Sequence, residues 1–209
     1  MGATIQKHVQ TVLFMLAVTF VFNALVAGVY LATKATVDRN KTLYLKRAVA
    51  EAAGIAAMPD TDALIAWYAG NVTAEGANGA LPDHFWVTPS DASGPRKLVL
   101  VQRGPGLWGT ITALVGFTPD RSAFEAVTFL EQNETPGLGA RIDEPWFRRQ
   151  FEGRTAPFDR LLAERKDKTD MAAPPGAFDQ ITGATITSSG VQTIMNEAMR
   201  RAQALTPPQ

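Results

Sequence analysis

The sequence predicts an α+β protein in which a single N-terminal transmembrane helix is followed by one domain with an antiparallel sheet and flanking helices. Three observations support this fold class. A long uncharged stretch stands near the N-terminus, short β-branched and aromatic runs occupy the middle, and a run with helical spacing follows them. With 209 residues, the chain is long enough for one anchor and one domain with its own core.

The composition excludes several kinds of functional site. Lys and Arg together number 20, as do Asp and Glu, so the net charge gives no sign of a nucleic-acid partner. The absence of cysteine excludes thiolate zinc sites, cysteine-ligated iron–sulfur clusters, thiol nucleophiles and disulfides. With only His8 and His84 as histidines, we expect no metal site. Any redox chemistry must then come from an organic cofactor.

The anchor is predicted over residues 9–33, after a short tail at residues 1–8. This stretch contains no Asp, Glu, Lys or Arg and is long enough to cross the hydrocarbon as one tilted helix. A cleaved signal peptide is the alternative. The apolar stretch is longer than a typical signal-peptide core, and no clear small-x-small cleavage site precedes the first charges, which favours a retained anchor.

The charges around this span predict an orientation. Only Lys7 precedes the span, whereas several basic residues follow it closely. These are Lys34, Arg39, Lys41, Lys46 and Arg47. By the positive-inside rule, this distribution would put the C-terminal domain in the cytoplasm.

Residues 34–95 are predicted to form a helical linker and a variable loop region. Leu43, Leu45 and Val49 fall at helical spacing, and Gly54 and Pro59 are expected to end that helix. A second short helix is predicted at residues 60–69. The stretch from about 70 to 95 is rich in Gly, Asn and Pro and is expected to be a loop.

The domain core is predicted over residues 96–205, with a tail at 206–209. The runs "RKLVLVQR", "GTITALVGFTP" and "FEAVTFLEQ" read as successive antiparallel strands. "DEPWFRRQFEGR" and "APFDRLLAER" are expected to be helical turns. A final amphipathic helix is expected to begin near Thr187–Ser189, with apolar residues at three- and four-residue spacing.

One motif near the C-terminus, "DQITGATITSS" at 179–189, is unusually rich in hydroxyls. A helix N-cap at Thr187, Ser188 or Ser189 explains one of them, and at most two. It does not explain Thr182 and Thr185, which flank a pair of small residues. Small residues let backbone amides approach a ligand, and a helix N-terminus favours an anion. The motif is therefore compatible with a phosphate site.

A second motif is "NETPGLGARIDEPWF" at 133–147. Pro followed by Gly suits a type II turn, so an ordinary turn is one interpretation. The alternative is a thin loop, with Leu138 exposed between two glycines, on which a flat ring could lie.

Together the two motifs resemble the FMN-binding domain family found in the NqrC component of the Na+-translocating NADH:quinone oxidoreductase and the RnfG component of the Rnf electron-transport complex. The family pattern is Asp, two residues, Ser or Thr, then Gly-Ala-Thr. The chain matches it with Asp179, Thr182, Gly183, Ala184 and Thr185, and matches the "ETPGLG" loop in full. The segment 55–95 carries little of the resemblance.

The resemblance implies a covalent cofactor. In that family FMN is joined through its phosphate to the last threonine of the Gly-Ala-Thr triplet by a flavin transferase. Carried over, the attachment residue is Thr185, with Thr187 as the nearest competitor, and the transferase would read Asp179. The neighbouring hydroxyls and amides of Thr182, Gly183 and Ala184 would hold the phosphate.

The resemblance also implies how the flavin ring is held. The ring would lie against residues of the second motif: Glu134, Thr135, Gly137, Leu138 and Gly139. Trp108, in "GLWGT", either packs near the ring or is a core aromatic at a strand edge. No residue is assigned a catalytic role.

The expected function is that of a membrane-anchored electron-transfer subunit. It would relay electrons within an ion-translocating oxidoreductase complex, alongside other membrane subunits, without independent turnover. Family members keep this domain outside the cytoplasm, so we expect a single-pass inner-membrane protein with a periplasmic domain, against the charge count. "GLWGTITALVGFTPD" is more similar to the quinone-reductase type, whereas the chain length is nearer the Rnf type. A related flavoprotein of another electron chain is a third possibility.

Two other functions compete with this one. A non-redox extracytoplasmic scaffold would keep the fold without a flavin, although it would not need an intact Asp-x-x-Thr-Gly-Ala-Thr. A module that binds FMN reversibly would release it on denaturation. The fate of the flavin at Thr185 discriminates among the three.

Overall fold

The structure is a computed structural model that describes residues 2–55, 58–77, 81–89, 94–165 and 173–205. The predicted tail at 206–209 lies outside the described residues, as does Met1. The chain divides into two compact units, one ending at Tyr44 and the other beginning at Leu45. The architecture is α+β, as the sequence predicts.

The N-terminal helix α1 spans Gly2–Ala52 without interruption. It therefore includes most of the predicted tail, the predicted anchor and the amphipathic stretch that follows it. Its large apolar side chains between Val9 and Leu31 are exposed. By length and composition, α1 is apolar and long enough to cross a membrane.

The end of α1 is where the sequence predicts it. Gly54 takes a left-handed backbone conformation with φ +70°. Its N–H donates to the carbonyl of Glu51, and the Ile55 N–H donates to that of Ala50, which is the hydrogen-bond pattern of a glycine C-cap. The last turn then packs against the sheet so closely that a Cβ on Gly116 would lie 1.7 Å from the Ala52 carbonyl oxygen.

The main sheet has five antiparallel strands in the order of the sequence. The strands are β1 Val72–Ala77, β2 Pro82–Val87, β3 Lys97–Pro105, β4 Thr110–Phe117 and β5 Phe124–Glu131. Strands β3 to β5 confirm the three strands predicted from the sequence. The sequence-based expectation of a loop over residues 70–95 is wrong, because β1 and β2 lie there. The run Phe85–Val87 is buried and pairs with Leu98 and Val99.

The sheet is buried on both faces, which explains the continuous apolar runs of its central strands. Leu98 and Leu100 lie in a core with the C-terminal helix α4, Thr185–Ala204. Val99 and Val101 point the other way, into a core with the end of α1 and with helix α2, Thr61–Asn71. Helix α2, Thr61–Asn71, confirms the predicted second helix and is capped by the Asp60 side chain.

The remaining elements lie along the edge and one face of the sheet. They are a 3-10 helix at Gly139–Asp143, α3 at Pro145–Arg149, β6 at Arg160–Leu162, β7 at Ala177–Asp179 and α4 at Thr185–Ala204. The helical turns predicted for "DEPWFRRQFEGR" are confirmed by α3. Those predicted for "APFDRLLAER" are wrong, since Arg160–Leu162 pairs in parallel with Ala177–Asp179.

Helix α4 starts at Thr185, two residues before the predicted beginning. Its contact with β3 depends on glycine. A Cβ on Gly190 would lie 1.9 Å from the Pro105 carbonyl oxygen, and one on Gly104 would lie 2.4 Å from a side-chain carbon of Ile194. This close approach fixes the helix on the end of the β3–β4 hairpin.

Candidate functional site

The threonine-rich motif forms a turn that leads from β7 into α4. Gly183 sits in this turn with φ +76°, a conformation that favours glycine. Ala184 occupies the N-cap position of α4, and no side chain of the described residues caps this helix end. Because the first N–H groups of a helix have no intrahelical partner, the N-terminus of α4 offers donors and a positive dipole end to an anion.

Two of the motif's hydroxyls are used inside the fold. Thr187 is 1% exposed, and its hydroxyl donates a hydrogen bond to the Glu134 carboxylate. Ser188 is fully buried; its hydroxyl accepts from the Ile181 N–H at 3.1 Å and donates to the Ala184 carbonyl at 3.0 Å. The predicted capping hydroxyls thus make tertiary and turn contacts one turn inside the helix.

The hydroxyl-bearing residues Thr182 and Thr185 are exposed. Thr185 is the first residue of α4 and therefore lies at its uncapped N-terminus. The fold thus separates the motif's threonines into a buried one, Thr187, and exposed ones. This separation could not be read from the sequence, where all of them look alike.

Glu134 is a buried carboxylate, 5% exposed, that joins three segments. Its Oε1 accepts hydrogen bonds from the N–H groups of Leu107, at 2.9 Å, and Trp108, at 3.1 Å. Its other oxygen accepts from Thr187. The carboxylate therefore ties the β3–β4 turn and the start of α4 to the second motif.

The two motifs are in direct contact. A Cβ on Gly139 would lie 2.6 Å from the Thr187 hydroxyl oxygen, so only glycine fits beside that residue. A Cβ on Gly183 would lie 3.1 Å from a methyl carbon of Leu138. Gly137, with φ +76°, turns the loop so that Leu138 is 43% exposed, as predicted. The structure thus brings the two motifs into one site.

Trp108 is 68% exposed at the β3–β4 turn. Its indole N–H donates to the Thr135 hydroxyl at 3.0 Å, which fixes the ring beside the second motif. The interpretation of Trp108 as a core aromatic at a strand edge is therefore wrong. Its exposure comes from the short turn, which lifts the side chain beyond the end of the sheet.

Asp179 lies at the end of β7 and is 4% exposed. Its Oδ2 accepts from Arg165 at 2.7 Å, and its backbone N–H donates to the Gln150 side-chain oxygen at 2.7 Å. Its Oδ1 is buried without a hydrogen-bond partner among the described residues. In the folded chain this carboxylate is turned inward, and its predicted recognition by a transferase stays a prediction.

Two charged residues at this site, Arg141 and Glu164, were not predicted from the sequence. Glu164 lies in the segment expected to be helical, and its Oε2 accepts from the Thr182 N–H at 2.9 Å. Arg141 holds the same carboxylate at 2.6 Å. Hydrogen bonds from Arg141 to Glu164 and then to Glu144 raise the pKa of the Arg141 guanidinium. A pairing between residues so distant along the chain has no local pattern.

Residues 106–200 match a family of proteins described as FMN-binding domains. This range contains both motifs and runs from the β3–β4 turn to the last turns of α4.

The chain is also similar to the NqrC subunits of Na(+)-translocating NADH-quinone reductases. It is 37% identical to that of Vibrio vulnificus (strain YJ016) over 99 residues, which are 46% of this chain and 38% of the relative. It is 32% identical to that of Yersinia pestis over 118 residues, 54% of this chain and 43% of the relative. The matched region thus spans about two fifths of the length of these relatives.

Two crystal structures share the fold. One is the NqrC protein of the Na(+)-translocating NADH-quinone reductase of Parabacteroides distasonis ATCC 8503, with a TM-score of 0.63 and 20% identity over 84% of this chain and 98% of that chain. The other is NqrC of Shewanella oneidensis, with a TM-score of 0.58 and 19% identity over 77% of this chain and 97% of that chain.

Proposed function

We propose that the chain carries FMN covalently on Thr185, because residues 106–200 match the FMN-binding domain family and the chain is similar to the NqrC subunits of Na(+)-translocating NADH-quinone reductases. In this proposal it is a membrane-anchored protein that relays electrons within an ion-translocating oxidoreductase of that type. It turns over no substrate alone.

The exposure of Thr185 at an uncapped helix N-terminus is the observation that carries the proposal. A phosphate joined to this hydroxyl lies where N–H donors and the helix dipole favour negative charge. The left-handed turn at Gly183 adds no side chain that would block access to this end of α4. The residues present therefore fit a phosphate-linked group.

The burial of the other candidate, Thr187, favours Thr185 further. Its hydroxyl is committed to Glu134, so esterification there would break a buried hydrogen bond and leave a carboxylate one donor short. No such contact holds the hydroxyl of Thr185 among the described residues.

The attachment chemistry requires an activated flavin phosphate and an enzyme of the flavin-transferase class. The Thr185 hydroxyl oxygen attacks the phosphorus, its proton passes to a base, and a phosphodiester forms. The leaving group is the other half of the donor, a nucleoside monophosphate in the case of a flavin dinucleotide. Once bound, FMN supplies reversible electron transfer that no side chain of this cysteine-free chain provides.

The flavin ring would lie against the second motif. Thr135, Gly137, Leu138 and Gly139 form a thin loop there, with Leu138 exposed and close to Gly183. Trp108 stands beside this loop through its bond to Thr135. Glu134 would hold the loop in position and would not contact the ring, since its carboxylate already accepts hydrogen bonds from three donors. A partly exposed ring suits exchange of electrons with another carrier.

The membrane part of the proposal rests on α1, which is long and apolar enough to span a bilayer. We place the domain on the periplasmic side of the inner membrane, where a covalent link keeps the cofactor from being lost by dilution. The partners are then the other membrane subunits of the complex and the transferase that loads the flavin.

The test is intact mass with in-gel flavin fluorescence after denaturation, on full-length chain co-expressed with a flavin transferase. Thr185→Ala is the test variant. Thr193→Ala is the matched control, because Thr193 is also an exposed threonine of α4. One FMN per chain in the wild type and in the control, with none in Thr185→Ala, supports the proposal.

Other results assign the chain differently. Flavin that is present in the native protein and lost on denaturation would indicate reversible binding. A bare wild type beside a loaded positive control would indicate a scaffold. Fluorescence that persists in Thr185→Ala would move the attachment, to Thr187 first.

A further inference from the structure

The threonine motif is held from two sides by carboxylates. On one side Glu134 accepts from the Thr187 hydroxyl, two residues after Thr185. On the other side Glu164 accepts from the Thr182 N–H at 2.9 Å, three residues before it. Thr185 therefore lies between two anchored points of the chain.

The second anchor is itself fixed by Arg141. Two guanidinium nitrogens of Arg141 contact the two oxygens of Glu164, at 2.6 and 3.1 Å, in a bidentate pair. Arg141 also donates to Glu144 at 3.1 Å and lies over the Trp146 ring at 5.6 Å. The side chains of Arg141 and Glu164 are only 19% and 11% exposed. A bidentate pair of this kind restricts orientation as well as distance.

Arg141 belongs to the 3-10 helix that begins at Gly139, the last residue of the "ETPGLG" loop. Glu164 follows β6, which runs beside β7; the pairing is continued by the Gln180 N–H, which donates to the Leu162 carbonyl at 2.9 Å. The series of contacts Arg141–Glu164–Thr182 thus connects the loop proposed for the flavin ring to the loop proposed for its phosphate.

We propose that Arg141 and Glu164 are positioning residues for the modification of Thr185, resting on the proposed function. They set the relative position of the two loops and hold Thr182–Ala184 in the conformation that presents the Thr185 hydroxyl. Neither residue touches the reacting atoms in this role. Glu164 also occupies the Thr182 N–H, which leaves the N–H groups at the start of α4 for the phosphate.

The size of the expected effect follows from how strongly group transfer depends on geometry. Misplacement of a reacting group by about 1 Å can slow a reaction by about 100-fold. Glu164→Gln removes the charge and replaces one of the two acceptor oxygens by an NH2 donor, so the bidentate pair with Arg141 is lost and a single uncharged oxygen is left to accept from Arg141 and Thr182. Arg141→Gln removes the bidentate donor. We expect each variant to reduce the initial rate of FMN transfer to Thr185 by about tenfold or more.

A purely structural role would give a different pattern, and a matched control separates the two. Glu125→Gln makes the same substitution in another partly buried ion pair, Lys97–Glu125 at 2.8 Å, which lies outside the two motifs and whose side chains are 20% and 26% exposed. It should lower stability comparably but leave the transfer rate within about twofold of the wild type. The double variant Arg141→Gln/Glu164→Gln should be no slower than the slower single variant, since the two residues act as one unit.

The experiment measures, on detergent-solubilised full-length chain, the rate of FMN transfer by a flavin transferase and the hydrogen exchange of the peptide containing the Thr182 amide. Slower transfer in both variants but not in Glu125→Gln, with faster exchange at Thr182, supports the proposal. Transfer at the wild-type rate in Glu164→Gln overturns it, as does equal slowing in Glu125→Gln.

The exchange measurement keeps this proposal separate from the proposed function. If the wild-type chain accepts no FMN at all, the proposed function fails. Unchanged exchange at Thr182 in Glu164→Gln overturns the positioning role whether or not the chain is loaded.

Discussion

The hydroxyl of Thr187 donates a hydrogen bond to the buried carboxylate of Glu134, and this contact joins the two motifs of the site. The same carboxylate takes N–H donors from Leu107 and Trp108. Because all three partners are donors, the carboxylate oxygens are satisfied inside the fold. Removal of any one of them leaves a buried acceptor with less compensation.

The first prediction concerns this contact. Thr187→Val keeps the shape of the side chain and removes the hydroxyl, so we expect a loss of about 1–3 kcal/mol in the free energy of unfolding. Thr193→Val, on the exposed side of the same helix, should change it by less than about 0.5 kcal/mol. Urea denaturation of the two variants measures the difference. An equal loss of stability in the two variants would show that the hydrogen bond from Thr187 to Glu134 does not stabilise the fold.

The second prediction separates backbone strain from contact at two glycines. Gly183 and Gly137 both have φ +76°, so alanine at either should destabilise the fold by about 1–2 kcal/mol. Only at Gly183 would the new methyl group press on Leu138, at 3.1 Å; at Gly137 it meets open space. We therefore expect the proposed loading with FMN to fall in Gly183→Ala more than in Gly137→Ala. In-gel flavin fluorescence checks this, and equal loading in the two variants would contradict it.

The third prediction compares glycines in two helices. In Gly190→Ala the added carbon would meet the Pro105 carbonyl oxygen at 1.9 Å, so α4 has to move away from β3. We expect a loss of at least about 2 kcal/mol in the free energy of unfolding. Gly70 in α2 has nothing within 4 Å, and Gly70→Ala should instead stabilise by about 0.5–1 kcal/mol. Thermal unfolding measures whether each substitution lowers or raises the stability of the fold. A destabilised Gly70→Ala would contradict the comparison.

The fourth prediction concerns pH. Hydrogen bonds from the Thr118 hydroxyl and from Ser122 lower the pKa of the Asp120 carboxyl from 3.8 to about 2. Because this pKa is lower in the folded than in the unfolded chain, the carboxylate stabilises the fold above pH 3.8, and that contribution is lost as the pH falls toward 2.

We therefore expect Asp120→Asn to be less stable than the wild type at neutral pH, with a gap that closes as the pH falls from about 4 to about 2. Denaturant titrations at several pH values measure the gap. A gap that stays constant down to about pH 2 would contradict the assignment.

Much of the fold could be predicted from local patterns. The runs in β3, β4 and β5 combine β-branched residues with turn signals, and Gly54 marks the end of α1. The two motifs could be paired only through their resemblance to a known family, because nothing local places Leu138 beside Gly183.

The errors have a common physical cause, which is that tertiary contacts override local preference. β2 buries consecutive residues, Phe85 to Val87, because both faces of the sheet are covered, so it shows no alternation. β6 has only three residues and exists through its parallel pairing with β7. The hydroxyls of Thr187 and Ser188, expected as caps, are bound inside the fold, and α4 therefore begins at Thr185.

The burial of Thr187 and Ser188 has a consequence for the timing of the proposed flavin attachment. In an unfolded chain, the five neighbouring hydroxyls of the motif would all be accessible, and an attaching enzyme would have to choose among them by local sequence alone. In the folded chain two of them are already inaccessible, and Thr185 stands at the exposed helix end. Under the proposed function, a chain that folds before it is loaded removes those two hydroxyls from competition, and the choice that remains is among Thr182, Thr185 and Ser189.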